Sequence, residues 1–142
     1  MIENAKIRKY DAGDRDSLIR LWTEVFPAGS PHNDPHTSLD KKLRIDRDLL
    51  LVSVIDDMVI GSVIGGYDGR RGWIYSLAVK PGFRRQGIAT KLMRAVEKAL
   101  VERGCLKVNL QIVASNAGVV ALYEKLGFSV EERISMGKKL YD

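Results

Sequence analysis

One stretch narrows the folds open to this chain more than any other. An apolar run, Trp73 to Val79, breaks at Pro81-Gly82 and gives way within a few residues to Ile88, Leu92, Ala95, Val96, Ala99 and Leu100 at helical spacing. The run is short, with β-branched and aromatic residues, and reads as a strand; the periodic set reads as a long amphipathic helix. Gly104 stands where such a helix ends. Beyond it, Lys107 to Val113 has the pattern of another strand, so the region is a strand–helix–strand unit, which commits the chain to an α/β layered architecture.

The junction inside that unit has chemical character. A helix start leaves several backbone N–H groups without intrahelical partners, and the summed peptide dipoles place partial positive charge there. Here the start is Arg84-Arg85-Gln86-Gly87-Ile88-Ala89. Gly87 lets a ligand approach the backbone without meeting a Cβ, Ala89 keeps the next close position small, and Arg84 and Arg85 add full positive charge. This is a seat for an anion of pyrophosphate type. The plainer reading is a helix entry with a basic first turn. Neither a G-x-G-x-x-G string nor a G-x-x-x-x-G-K-[ST] loop is present.

The remainder assembles around that unit. Lys6 to Tyr10 is expected as a first strand. Asp14 is a plausible cap for a helix whose Leu18, Leu21, Trp22 and Val25 share one face. Pro27 to Pro31 breaks that helix, and a second short one is expected after His32 to His36, capped by Thr37 or Ser38. The two histidines flanking Asp34 invite a metal reading, but the chain holds only 2 histidines and no metal site is expected. Leu49 to Ile55 and Met58 to Gly66 read as a hairpin turning at Asp56-Asp57, Asn116 as the cap of a further helix ended by Gly127, and Phe128 to Leu140 as one or two closing strands. The expected fold is a mixed, mostly antiparallel sheet with helices on both faces, in one domain over residues 1–142.

Composition sets the outer limits. A chain of 142 residues buries roughly 70% of the surface its unfolded form exposes, enough for one core without staples. The single cysteine, Cys105, forms no internal disulfide and reads as packing. No apolar run approaches the ~18 residues of a membrane span, and the first residues lack the apolar stretch of a secretion signal; a cytoplasmic protein is expected, with no membrane partner. The net charge of +5 is spread over separate clusters rather than one stripe with interleaved aromatics, so nucleic acid is not the expected partner.

Two ordered motifs carry a resemblance. Arg84 to Ala89 matches the Q/R-x-x-G-x-G/A signature of the Gcn5-related N-acetyltransferases, and Asn116 to Phe128, with Tyr123 and Gly127 in register, resembles that family's second signature. The likeness extends over essentially the whole chain; Gly65 to Gly69 and Asn33 to Pro35 look like its bacterial YpeA-type branch. The resemblance implies a sheet splayed between the fourth and fifth strands. Acetyl-coenzyme A would lie with its pantetheine arm along Leu77, Ala78 and Val79, with its pyrophosphate on Arg84, Arg85, Gln86, Gly87, Ile88, Ala89 and Thr90, and with Asn116 also in contact. It implies that Tyr123 is the general acid. In several relatives a glutamate on the strand before the second motif acts as base; here that position is Gln111, which cannot ionise, and Tyr75, Asp68, Glu24 and Asp34 are the alternatives. The implied activity is transfer of an acetyl group to a primary amine, on a small molecule or on a protein or peptide, by a monomer or homodimer. The runner-up is a catalytically weak acyl-coenzyme A-binding module.

Overall fold

Five strands lie side by side in chain order: β1 (Lys6–Lys9), β2 (Leu50–Ile55), β3 (Met58–Tyr67), β4 (Gly72–Val79) and β5 (Val108–Leu110). The first four pair antiparallel and β5 joins β4 in parallel, so the sheet is mixed, as expected. The parallel step requires a crossover, which is α3 (Ile88–Glu102). The molecule is described from a computed structural model that covers residues 5–27 and 29–142. Ala28, within the expected break after the first helix, lies outside the described residues.

Helices cover both faces of the sheet. On one, Leu18, Ile19, Leu21 and Trp22 of α1 (Arg15–Val25) and Leu39 of α2 (Pro35–Ile45) join Leu50, Val52, Val54, Ile64 and Ala78 in a buried cluster. Trp22 Nε1 donates to Ser62 Oγ at 2.8 Å, giving the buried indole its partner. On the other face α3 buries Ile88, Leu92, Met93, Val96 and Leu100. It comes close because β3 presents glycines there: a Cβ at Gly65 would stand 2.7 Å from Val96 Cγ2, and one at Gly61 3.1 Å from Ile88 Cγ2.

Local chemistry moves several expected boundaries. Asp34, not Thr37 or Ser38, caps α2, accepting from Thr37 N at 2.9 Å. Pro35 explains the shift: its fixed φ and missing N–H suit the first helical position, so the helix starts there. Asp14 precedes α1 but makes no side-chain cap. Its carboxylate is held by Arg8 at 2.7 and 2.8 Å and by Asp11 N at 2.8 Å, and a bidentate ionic pair outcompetes a cap. The β2–β3 turn falls at Asp56 and Asp57, both left-handed with φ of 47° and 64°, the geometry whose twist matches a two-residue hairpin.

The chain divides into two compact units, Met1–Gln111 and Ile112–Asp142. The first holds the whole sheet with α1 to α3. The second holds a 3-10 segment (Ala114–Val119) and α4 (Val120–Lys125). Asn116 sits inside that 3-10 segment with non-helical φ −113° and ψ 30° instead of capping the helix; with Gly118 two places on, both weak helix formers, the α-helix begins only at Val120. Gly127 ends it with φ 95°. The closing strands expected over Phe128 to Leu140 are not formed. Val130, Ile134, Met136 and Leu140 are all exposed, and apolar residues make a strand only where a neighbouring strand pairs with them.

Candidate active site

The first half of the site is the outer edge of β4. β5 pairs with it only at Gly72, Trp73 and Ile74, three residues of the seven expected for that strand. From Tyr75 to Val79, β4 therefore runs beside β3 with no strand on its other side among the described residues. This is the splay between the fourth and fifth strands. The β3 register adds a second irregularity, since Ser62 faces Ala78 and Ile64 faces Tyr75. Ser76 and Leu77 thus stand opposite Val63 alone. Ser76 takes φ 52°, a left-handed conformation that costs a non-glycine residue about 1–3 kcal/mol and clusters at functional positions. The bulge takes Ser76 and Leu77 out of regular pairing with β3.

β4 ends in the seat. Arg84 Nε donates to Val79 O at 3.1 Å, so one arginine of the motif ties the loop to the strand. Arg85 and Gly87 are both left-handed, with φ of 62° and 82°. Gly87 is the N-cap of α3 and no side chain caps that helix; Lys91 N makes a helical bond to Gly87 O at 3.1 Å. The N–H groups of Ile88, Ala89 and Thr90 precede it and have no intrahelical acceptor. A Cβ on Gly87 would meet nothing within 4 Å, so packing does not demand glycine here. The backbone conformation does, and the space above it is open to a ligand. Arg84, Arg85 and Gln86 are exposed around it, and the residues fit a pyrophosphate through backbone donors, helix dipole and guanidinium charge.

None of the carboxylates considered as a base stands idle. Asp34 caps α2, and the bonds from Thr37 hold its carboxyl below the ordinary range. Asp68 accepts from Arg70 N and Arg71 N at 2.8 Å each, which lowers its pKa likewise. Glu24 pairs with Lys80 at 2.9 Å, the two lining an open cleft with Ile19, Arg20 and Thr23. Tyr75 is half exposed, and burial, then the charge of Asp68, raises its phenol pKa. Gln111 is exposed just past β5.

In the second unit, Tyr123 lies on α4 with its ring edge-on to Phe128, centroids 5.9 Å apart at 74°. Tyr123 O receives Phe128 N at 3.0 Å, which joins the two motif residues across the end of the helix. Burial raises the phenol pKa, so the group keeps its proton at neutral pH. No three His, Cys, Asp or Glu gather into a metal cluster among the described residues.

Comparison with known proteins gives the family. The profile of the acetyltransferase (GNAT) family matches residues 15–128. This chain is a GNAT acetyltransferase. An acetyltransferase of Pectobacterium atrosepticum is 41% identical over 137 residues, 96% of each chain. Among solved structures, Ard1 from Thermoplasma volcanium superposes with TM-score 0.78 at 25% identity, over 90% of this chain and 84% of that one. The acetyltransferase AAC(6')-Iy, in complex with a bisubstrate analogue of coenzyme A and acetylneamine, reaches TM-score 0.78 over 95% and 97% at 20% identity, which bears on the fold alone.

The strand and the helix entry that follows it were legible as residue types; the extent of the β4 edge, the bulge at Ser76 and the Arg84–Val79 bond were not. A bulge is a mismatch between two strands, and no local signal in β4 announces it.

Proposed function

We propose that this acetyltransferase moves the acetyl group of acetyl-coenzyme A onto a primary amine by direct attack. The observation that carries the reading is the edge of β4 from Tyr75 to Val79, which has no strand beyond it among the described residues and is followed, after the turn at Pro81–Phe83, by the uncapped start of α3. An extended pantetheine arm can hydrogen-bond that edge as an added strand would, while its pyrophosphate takes the N–H groups of Ile88, Ala89 and Thr90 beside Arg84, Arg85 and Gln86. A backbone N–H of the bulged segment polarises the thioester carbonyl. The neutral amine adds to that carbonyl and the C–S bond breaks. The leaving thiolate takes its proton from Tyr123, the proton of the amine passes to solvent, and solvent returns a proton to Tyr123 before the next turnover.

The engagement of Asp34, Asp68 and Glu24, together with glutamine at 111, favours capture of an amine that is already neutral. For a lysine-like amine of pKa ~10.4 that is about one molecule in 2,500 at pH 7, a cost of roughly 4.6 kcal/mol. AAC(6')-Iy binds an analogue joining coenzyme A to an amino sugar, and an acceptor amine on a small molecule or a peptide is the class assigned here. We place the reaction in the cytoplasm. The acyl-coenzyme A-binding module is the second reading, and Gln111 alone favours it. Thiol release from acetyl-coenzyme A across a panel of amines, amino sugars and peptides separates the two: acceptor-dependent release is expected, and coenzyme A binding with no release for any acceptor overturns the transferase reading.

A further inference from the structure

The height of the anion seat depends on a residue that does not belong to it. Gly61 lies on β3, paired with Val79 on β4, and its missing side chain points at the first turns of α3. A Cβ there would stand 3.0 Å from Leu92 Cδ1, 3.1 Å from Ile88 Cγ2 and 3.2 Å from the carbonyl oxygen of Ala78. Ile88 and Leu92 are 3% and 0% exposed. The first of them opens α3 and contributes one of the uncapped N–H groups. The same position therefore touches three things at once: the helix start that offers the donors, the buried leucine one turn further on, and the backbone of the β4 edge.

We propose that Gly61 is a positioning residue for the coenzyme A phosphates. By carrying no side chain, it lets the first turn of α3 rest on the sheet and so sets the distance between the helix donors and the end of β4. The inference rests on the acetyl-coenzyme A reading above. An added methyl has no easy exit. Leu92 Cδ1 can rotate, but Ile88 is β-branched and stiff at χ1, and the Ala78 oxygen belongs to a paired strand. The helix start is the part that can give, and it rises by a few tenths of an ångström. Backbone donors are sensitive to such shifts because their hydrogen bonds weaken steeply with distance and angle. Gly65 provides the contrast. A Cβ there overlaps Val96 more severely, at 2.7 Å, but Val96 lies about 12 Å further along the helix at 1.5 Å per residue, away from the donors.

The test is calorimetric titration of coenzyme A into the purified full chain and its variants, with thermal melts beside it. Gly61→Ala is expected to weaken coenzyme A binding about tenfold and Gly61→Val about a hundredfold, the scale on which small misplacements act. Gly65→Ala is expected to lower Tm at least as much as Gly61→Ala while changing affinity less than about threefold. A general loss of packing would move Tm and affinity together in all three. If Gly61→Ala does not fold, Gly61→Ala with Ile88→Leu removes the β-branch methyl that the new Cβ meets at nearly constant volume, and its affinity is expected within about threefold of wild type. Folded Gly61 variants that bind as wild type does, a Gly65→Ala variant that binds as weakly as Gly61→Ala, or a Gly61→Ala variant with Ile88→Leu that binds tenfold more weakly than wild type would each overturn the proposal. Failure of the wild-type chain itself to bind coenzyme A would instead overturn the seat on which the proposal stands.

Discussion

At the scale of single residues, the roles proposed for Tyr123 and Gln111 are what separates a transferase from a binding module. Burial raises the Tyr123 phenol, so it enters the reaction protonated at any physiological pH. Tyr123→Phe removes only the hydroxyl, and the ring contact with Phe128 survives. The variant is expected to keep its melting temperature and its coenzyme A affinity within a few-fold while kcat drops about 10²-fold, in line with a lost general acid. An unchanged kcat would leave Tyr123 as packing. Gln111 leads to a pH profile. With no ionisable base, kcat/KM should track the neutral amine, climbing about tenfold per pH unit from 6 to 9 for a lysine-like acceptor and levelling near ~8 for an α-amine. Gln111→Glu is expected to raise activity near pH 7 and flatten that rise. A wild-type profile that plateaus well below the acceptor's own pKa would point to another base.

At the scale of elements, the junction of β1 with α1 is held by one ion pair whose sign with pH can be worked out. The Asp14 side chain is 5% exposed against 41% for Arg8, and the Arg8 bond, opposed by burial, leaves its carboxyl below the ordinary range. A carboxyl with a depressed folded-state pKa binds fewer protons folded than unfolded below neutrality. Its stabilisation is therefore fully present above the unfolded value of ~3.9 and is lost as pH falls through the lower, folded value. Because Arg8 stays partly in water, Asp14→Asn is expected to cost roughly 1–3 kcal/mol at pH 7 and much less near pH 2. Urea unfolding at several pH values checks this; an equal loss at pH 7 and pH 2 would show that charge is not the cause. The same element scale explains why caps moved. Asp14 looks like a helix cap in isolation, and only the arrival of Arg8 from a neighbouring strand redirects it.

At the scale of the whole molecule, ligand binding and stability are linked. Acetyl-coenzyme A at ~100 times its dissociation constant should add roughly 2.7 kcal/mol and raise Tm, while NAD should leave it unchanged. Gly87→Glu should abolish the shift, since it puts a side chain and a negative charge into the open space over a backbone at φ 82°; a shift of unchanged size would remove the phosphates from the helix start. Apolar runs located β2, β3 and β4 within a residue or two, because strands covered by helices on both faces are apolar nearly throughout, and the helical period located α3, which buries one face. The helix-start motif was legible for a similar reason: its glycine, small residue and arginines act through local backbone and charge. The span of β5, the left-handed Ser76, the engagement of Asp34 and Asp68, and the closeness of α3 above Gly61 depended on which segments lie beside which. The closing strands expected over Phe128 to Leu140 are not formed among the described residues, since hydrogen-bond pairing is a property of two segments and a sequence pattern belongs to one. Local order was therefore written in the chain, and the edge, the bulge and the height of the seat were decided only by its packing.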